Sequence, residues 1–364
     1  MTHLTKVSEQ VRCMLPSPTP KSLGYRMPAE WEPHLGTWFS WPHNTDTWGR
    51  HLSATEQALS YAISFLCKGE TVYINVLDEV HLQKVDDLLT SMGVTQGVQY
   101  CVVPTNDSWC RDHGAIFLTH PAKPEIAASD WGFNAWGGKY PPFALDNAVP
   151  RQMCDVMNAI HFATPFILEG GSIEVNGEGV LLTTASCLLH PNRNPGFSKK
   201  DVEWVLEEML GVDHVIWLTG ELEGDDTDGH IDNIARFVNP YTIVLARENP
   251  DAGNKDNGMP SNSARLEAAF NAMGMAIDLV YLPRPAPFFI EGRQLPASYI
   301  NFYIGNEVVL MPVFDDPQDE DAQQILQSCF PLRRVIPVDC TSIIWGLGAL
   351  HCLSQQVPKP INQL

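Results

Sequence analysis

No run of about 18 apolar residues occurs anywhere in the chain, so the sequence offers no membrane-spanning helix. Basic residues are scarce: 23 Lys and Arg stand against 43 Asp and Glu, for a formal net charge of −20. With no Lys/Arg stripe to neutralise phosphates, neither a nucleic acid nor an anionic membrane is expected as a partner. The nine cysteines contain no C-x-x-C pair, and their odd number is not a disulfide framework. A reduced, cytoplasmic setting is therefore expected, with most thiols serving as small buried hydrophobes. The N-terminal stretch mixes polar residues with Pro16, Pro18 and Pro20 and lacks the apolar core of a secretory signal. A Gly-rich nucleotide fingerprint is missing too.

What remains is a globular composition, 44% hydrophobic and 18% charged over 364 residues, long enough to bury a large core. The acidic excess concentrates cations near any acidic cleft, which favours a cationic substrate. Residues 1–23 read as a flexible arm, and residues 24–364 as one α/β domain with no linker or low-complexity break. Short β-rich runs alternate with amphipathic ones. Strands are expected at 71–77, 98–103, 179–184, 214–218, 242–246, 276–281, 307–311 and 334–338. Helices are expected at 79–92, 199–210 (with Ser198 as N-cap), 263–273 and 320–329. The acidic run 315–321 reads as a solvated loop entering a helix.

Four polar segments fall where strands should end. They are 106–114 (NDSWCRDHG), 169–172 (EGGS), 224–233 (GDDTDGHIDN) and 346–356 (GLGALHCLSQQ). If they converge, they suit chemistry on a guanidinium, a planar cation whose five N–H donors match a pair of carboxylates. Asp112 and Asp232 supply such a pair. The central carbon is a poor electrophile and calls for a thiolate, which Cys352 can supply; a bound cation would itself depress that thiol's pKa. His230 suits the proton transfers, and Glu169 could orient it.

The order and spacing of further stretches carry a resemblance over nearly the whole chain. These are 24–34 (GYRMPAEWEPH), 134–138 (NAWGG), 168–172 (LEGGS), 192–195 (NRNP), 297–303 (ASYINFY) and His351-Cys352. The sequence resembles the agmatine deiminase family, within the Porphyromonas-type peptidylarginine deiminases. The resemblance implies a fivefold pseudosymmetric α/β propeller (the pentein fold), with no metal and no organic cofactor. It puts Cys352, His230, Glu169, Asp112 and Asp232 in the roles just argued and adds Asp226, four residues before His230, as a substrate contact. It is compatible with a homodimer. One departure sits beside the nucleophile, where Leu347, Gly348 and Ala349 stand in place of the more usual Gly-Gly-Asn. The segment 282–296 is also shorter than in many members.

Ordinary readings stand beside these. Cys352 could be a core thiol, His230 a structural histidine, and Glu169-Gly170-Gly171 a turn. Asp112 could pair with Arg111 on the surface, and Asp226 could be a solvated loop charge. Asp228 and Asp232 could join an oxygen-ligand metal cluster. Cys110 and Arg111 are read as packing and buttressing residues. Competing functions are a deiminase of arginine or peptidylarginine, an amidinotransferase, and a non-catalytic polyamine-binding protein.

Overall fold

The computed structural model describes residues 7–220, 222–247 and 261–360. Five of its sheets share one topology: a first strand antiparallel to a second, which runs parallel to a third. The first sheet joins Ser354–Pro358, His34–Ser40 and Thr71–Val76, with Val98–Val102 added at its edge. The second holds Ile116–His120, Lys123–Gly132 and Ile160–Ile167, and the third Ile173–Val175, Val180–Thr184 and His214–Leu218. The fourth holds Ala235–Asn239, Thr242–Ala246 and Asp278–Leu282, and the fifth Tyr303–Ile304, Val308–Val313 and Arg334–Asp339.

A parallel pair needs a crossover long enough to return the chain to the same edge, and a helix is the usual solution. Each sheet has one: Leu52–Leu66, Val149–Met157, Lys199–Leu210, Asn262–Ala272 and Asp319–Cys329, in that order. Lys199–Leu210 shows why these helices form where they do. Ser198 Oγ accepts from the Asp201 N–H, and the Asp201 carboxylate accepts from the Ser198 N–H in return, a reciprocal capping box. Gly211 ends the helix in the left-handed conformation. Its buried stripe of Val202, Val205, Leu206, Met209 and Leu210 packs on the third sheet's apolar face.

Several sequence expectations hold closely. The strands at 214–218 and 242–246 and the helix at 199–210 coincide with the observed elements, and the others shift by one or two residues. Other elements were not foreseen. Lys123–Gly132 and Ile160–Ile167 contain Lys, Asp, His and Pro, so their composition does not read as strand, yet ten-residue and eight-residue strands form. Ser354–Pro358 is all buried although it reads SQQVP, because it pairs with His34–Ser40. That pairing joins the two ends of the described chain. Segment 282–296, for which no element was expected, carries a small hairpin of Phe288–Ile290 and Arg293–Leu295.

The N-terminal arm is corrected from residue 7 onward; residues 1–6 lie outside the described residues. Val11 is fully buried among Val202, Val205 and Met209. The Ser8 N–H donates to Asp201 Oδ1 at 2.7 Å, and Lys21 pairs with Asp213 at 2.9 Å. Burying an apolar side chain of this size is worth about 1.5–3 kcal/mol, which offsets part of the entropy lost in ordering one short helical turn. Among the described residues, no helix is long and apolar enough to cross a membrane.

The segments linking one sheet to the next carry the polar motifs. Cys110–His113 lies between the first and second sheets, Gly170–Ser172 between the second and third, and Ile231–Asn233 between the third and fourth. Residues 297–302 connect the fourth to the fifth, and Leu350–Leu353 leads back into the first. Backbone that leaves a strand end without entering another ladder must satisfy its polar groups with side chains, and these connectors do so with one another.

Candidate active site

Gly171 marks the point of convergence. A Cβ placed there would fall 2.6 Å from His230 Nδ1, 2.8 Å from Asp112 Oδ1 and 3.1 Å from Asp232 Oδ2. Three connectors from different parts of the chain thus bring a histidine and two carboxylates to one spot, kept open by a missing side chain. Gly171→Ala should fill it. Overpacking of a buried site costs about 1–3 kcal/mol, so kcat/KM should fall by roughly tenfold to a hundredfold. Steady-state kinetics beside a thermal melt would check this; unchanged kcat/KM would mean that the space is not used.

Cys352 lies next to this spot, on the short helix Leu350–Leu353 and 5% exposed. Its Sγ is 3.5 Å from Asp232 Oδ2 and accepts from Asn301 Nδ2 at 3.1 Å. Asn301 also takes the backbone N–H groups of His351 (3.1 Å) and Cys352 (3.3 Å) on its Oδ1. One amide thus fixes both the helix start and the sulfur. Burial pushes the Cys352 thiol well above its ordinary pKa, and the charges of Asp232 and Asp112 push it further. Without a cation between them, the sulfur holds its proton.

Asp112 accepts from the Gly171 N–H at 3.0 Å and from Trp136 Nε1 at 2.9 Å. Its burial, reinforced by the anionic Asp232 and Glu169 against the pull of His230, raises it to about 6. Asp232 differs. Burial alone would raise it, but the hydrogen bond and charge of His351 bring it below the usual carboxylate value. Its Oδ2 bonds His351 Nδ1 at 2.8 Å, while its Oδ1 is buried with no hydrogen-bond partner among the described residues. A buried carboxylate oxygen with nothing to accept is costly unless a ligand supplies the donor.

His230 is fully buried, 3.7 Å from Asp112 Oδ1 through Nδ1 and 3.8 Å from Glu169 Oε2 through Nε2, and neither nitrogen has a hydrogen-bond partner among the described residues. Burial opposes its protonation, yet the surrounding carboxylates raise its pKa well above the usual imidazole value. Glu169 is held by Arg193, whose Nε donates to Oε1 at 2.6 Å. Arg193 also bonds Asp228 Oδ2 at 2.7 Å and the Thr227 carbonyl at 3.0 Å.

A buried ionic layer lies beneath the nucleophile. Glu30 Oε2 meets His351 Nε2 at 2.9 Å and Arg111 at 3.1 Å, and its Oε1 meets Arg236 at 2.8 Å. Arg236 in turn binds Glu174 at 2.8 Å. Burial, Arg111 and Arg236 pull His351 toward its neutral form. A neutral ring, however, has one N–H and would leave one of its two carboxylate contacts as acceptor against acceptor. The contacts are those of an imidazolium, which matches three cationic groups (Arg111, Arg236, His351) to three carboxylates (Glu30, Glu174, Asp232). The layer orients Asp232 so that one oxygen is taken and the other is free.

The five residues expected at the centre, Cys352, His230, Glu169, Asp112 and Asp232, are brought together. Asp226 is not among them. Its side chain is 30% exposed, bonds the Tyr140 hydroxyl, and lies 3.5 Å from Lys139 Nζ. It is linked to the centre through Tyr140, whose ring packs edge-on against Trp136, the donor to Asp112, and through Lys139, Asp228 and Arg193 to Glu169. Its surroundings are not purely acidic: Lys139 answers both it and Asp228. The acidic run does not gather as an oxygen-ligand site either. Asp228 turns to Arg193 and Lys139, Asp232 to His351, and Asp225 accepts from the Thr227 and Gly229 N–H groups. Arg111 buttresses as read, and Cys110 is packed in the core with its thiol pushed up to about 12 by burial. Leu347 adopts φ of +74°. It keeps the left-handed backbone a glycine would take with ease, at a cost of about 1–2 kcal/mol.

Asn301, Trp136, Arg193, Glu30, His351 and Gly171 all lie in stretches that stand out in the sequence, but no role for them could be read there. Each acts through a partner distant in sequence.

The sequence profile of the Porphyromonas-type peptidyl-arginine deiminases matches residues 26–358. The chain belongs to this family. Agmatine deiminase of Pseudomonas aeruginosa is 36% identical over 381 aligned residues, covering 95% of this chain and 98% of that protein. Among solved structures, an agmatine deiminase of Enterococcus faecalis superposes with a TM-score of 0.86 at 30% identity, covering 94% of this chain and 98% of its own. A cysteine-to-serine variant of C. jejuni agmatine deiminase with substrate bound gives 0.80 at 31% identity, covering 92% and 97%.

Proposed function

We propose that this protein is an agmatine deiminase, converting agmatine and water to N-carbamoylputrescine and ammonia. The observation that carries the reading is Asp232: its carboxylate meets the Cys352 sulfur and the Gly171 spot beside Asp112 through Oδ2, while its buried Oδ1 has no hydrogen-bond partner among the described residues. A guanidinium supplies donors in one plane to both carboxylates and presents its carbon to the thiol. The agmatine deiminases it is similar to support the same choice.

The guanidinium's charge offsets the two aspartates that keep Cys352 protonated, so binding itself favours the thiolate, the thiol's proton passing to solvent because His230 already carries its own. The thiolate adds to the guanidinium carbon, His230 as imidazolium protonates the departing nitrogen, and ammonia leaves. An amidino-cysteine remains. The now neutral His230 takes a proton from water, the hydroxide adds to that carbon, and the C–S bond breaks to release the ureido product. Glu169, held by Arg193, steadies His230 through both proton transfers. We further infer five blades around a narrow funnel, one domain spanning 24–364, a cytoplasmic location, a homodimer, and no resident metal or organic cofactor.

Screening agmatine, arginine and a neutral-tailed guanidine for ammonia and ureido product tests the reading. Agmatine should be turned over best, and equal efficiency with arginine would overturn it. For the substrate's ammonium end we assign Asp226, which must share its charge with Lys139 and solvent. Asp226→Asn should therefore raise KM for agmatine by about tenfold or less while leaving butylguanidine unchanged. An equal effect on both would remove Asp226 from the site.

The pH profile has a predicted shape. Asp112 is raised to about 6, so it is anionic above that pH and loses its charge as pH falls through it. Below about 6, kcat/KM should fall about tenfold per unit. The thiol's raised pKa works in the same sense and at higher pH, since thiolate also increases with pH. The ascending limb should thus lie at lower pH in kcat, with the cation bound, than in kcat/KM. Coincident limbs would argue against thiolate formation driven by substrate.

A further inference from the structure

Of the buried thiols that the chemistry above leaves unused, one lies against His230. Cys187, fully buried at the end of the third sheet's middle strand, has its Sγ 3.8 Å from Glu169 Oε2. His230 Nε2 lies 3.8 Å from the same oxygen, and the three donor atoms all fall within 4.8 Å of one another. Thiolate, imidazole and carboxylate are the ligand types that zinc takes, at about 2.3 Å for sulfur and about 2.0–2.2 Å for nitrogen and oxygen. A tetrahedron on those bonds separates its ligands by about 3.3–3.7 Å, so small inward shifts would close the set. The independent sign of a ligand is His230: its Nε2 is buried and has no hydrogen-bond partner, although it faces a carboxylate and a thiol.

The geometry points to an inhibitory zinc site formed by Cys187 Sγ, Glu169 Oε2 and His230 Nε2, with a fourth position open. Arg193 on Glu169 Oε1 leaves Oε2 for the metal and fixes its direction. Zinc there displaces the protons of Cys187 and His230, so binding should strengthen as pH rises. It also fixes His230 in its deprotonated state, with no acid left for the departing ammonia. That consequence rests on the role proposed above for His230; metal binding does not.

The test separates the two. Co²⁺ is titrated into purified Cys352→Ala and Cys352→Ala/Cys187→Ser proteins, following the thiolate-to-cobalt absorption band. Zn²⁺ competition and circular dichroism of both variants accompany it. The band should form in the first protein, be displaced by Zn²⁺, and be missing from the second. In the otherwise unmodified enzyme, Zn²⁺ should inhibit reversibly by chelator, and Cys187→Ser should weaken that inhibition at least about tenfold relative to its own turnover. Absence of the band in folded Cys352→Ala, or its persistence without Cys187, would overturn the site. If Cys187→Ser does not fold, Cys352→Ala/Glu169→Gln takes its place, with a weakened Co²⁺ complex expected and an unchanged one overturning the proposal. Because the absorption readout needs no turnover, failure of the agmatine assignment leaves it intact.

Discussion

Cys352→Ala is expected to lower ammonia release from agmatine by about four decades or more, with the folded state retained. The sulfur is 3.5 Å from Asp232, and Asn301 aims it. Neither neighbouring thiol is placed in this way: Cys110 is packed in a core cluster, and Cys187 lies against His230 and Glu169. Removing a buried thiol held between anions takes away a group that the site itself keeps protonated, so stability should change little. Agmatine should still bind, since both carboxylates remain. In His230→Ala the water step lacks its base, and an amidino adduct should be found by mass spectrometry on the peptide carrying Cys352. Turnover by Cys352→Ala within about a hundredfold of the parent enzyme would sink the covalent route.

Asp232→Asn should cost roughly two to four decades in kcat/KM, from the about 3–5 kcal/mol penalty of leaving a buried charge without its partner. The structure says why a near-isostere fails. Asp232 must accept from His351 on Oδ2, which leaves Oδ1 for the substrate. An asparagine that keeps the His351 bond turns its NH₂ toward a guanidinium, which has only donors. Asp112→Asn should fail for a related reason: both of its oxygens already accept N–H groups, from Gly171 and Trp136, so one of those would face an amide donor. Binding of agmatine by calorimetry, alongside kinetics, would separate lost affinity from lost chemistry. A loss below about fivefold in either variant would mean that the residue does not hold the guanidinium.

The sequence by itself determined the residue types of the site and the rhythm of the fold. A thiol, a histidine and carboxylates at strand ends were legible because such polar residues interrupt apolar runs locally. The capped helix Lys199–Leu210 and the strand His214–Leu218 were legible because capping and periodicity act within a few residues. Only the tertiary structure decided which oxygen of Asp232 is free, since that depends on His351 being held by Glu30 from 321 positions away. The same holds for Asn301, which grips a sulfur 51 positions on, and for Ser354–Pro358, buried by its pairing with His34–Ser40. It also decided against an unpaired Asp226, because Lys139 reaches it across 87 positions. Local pattern records what a residue can do. Which partner satisfies a buried charge is settled by desolvation and packing among segments that meet only in the folded chain.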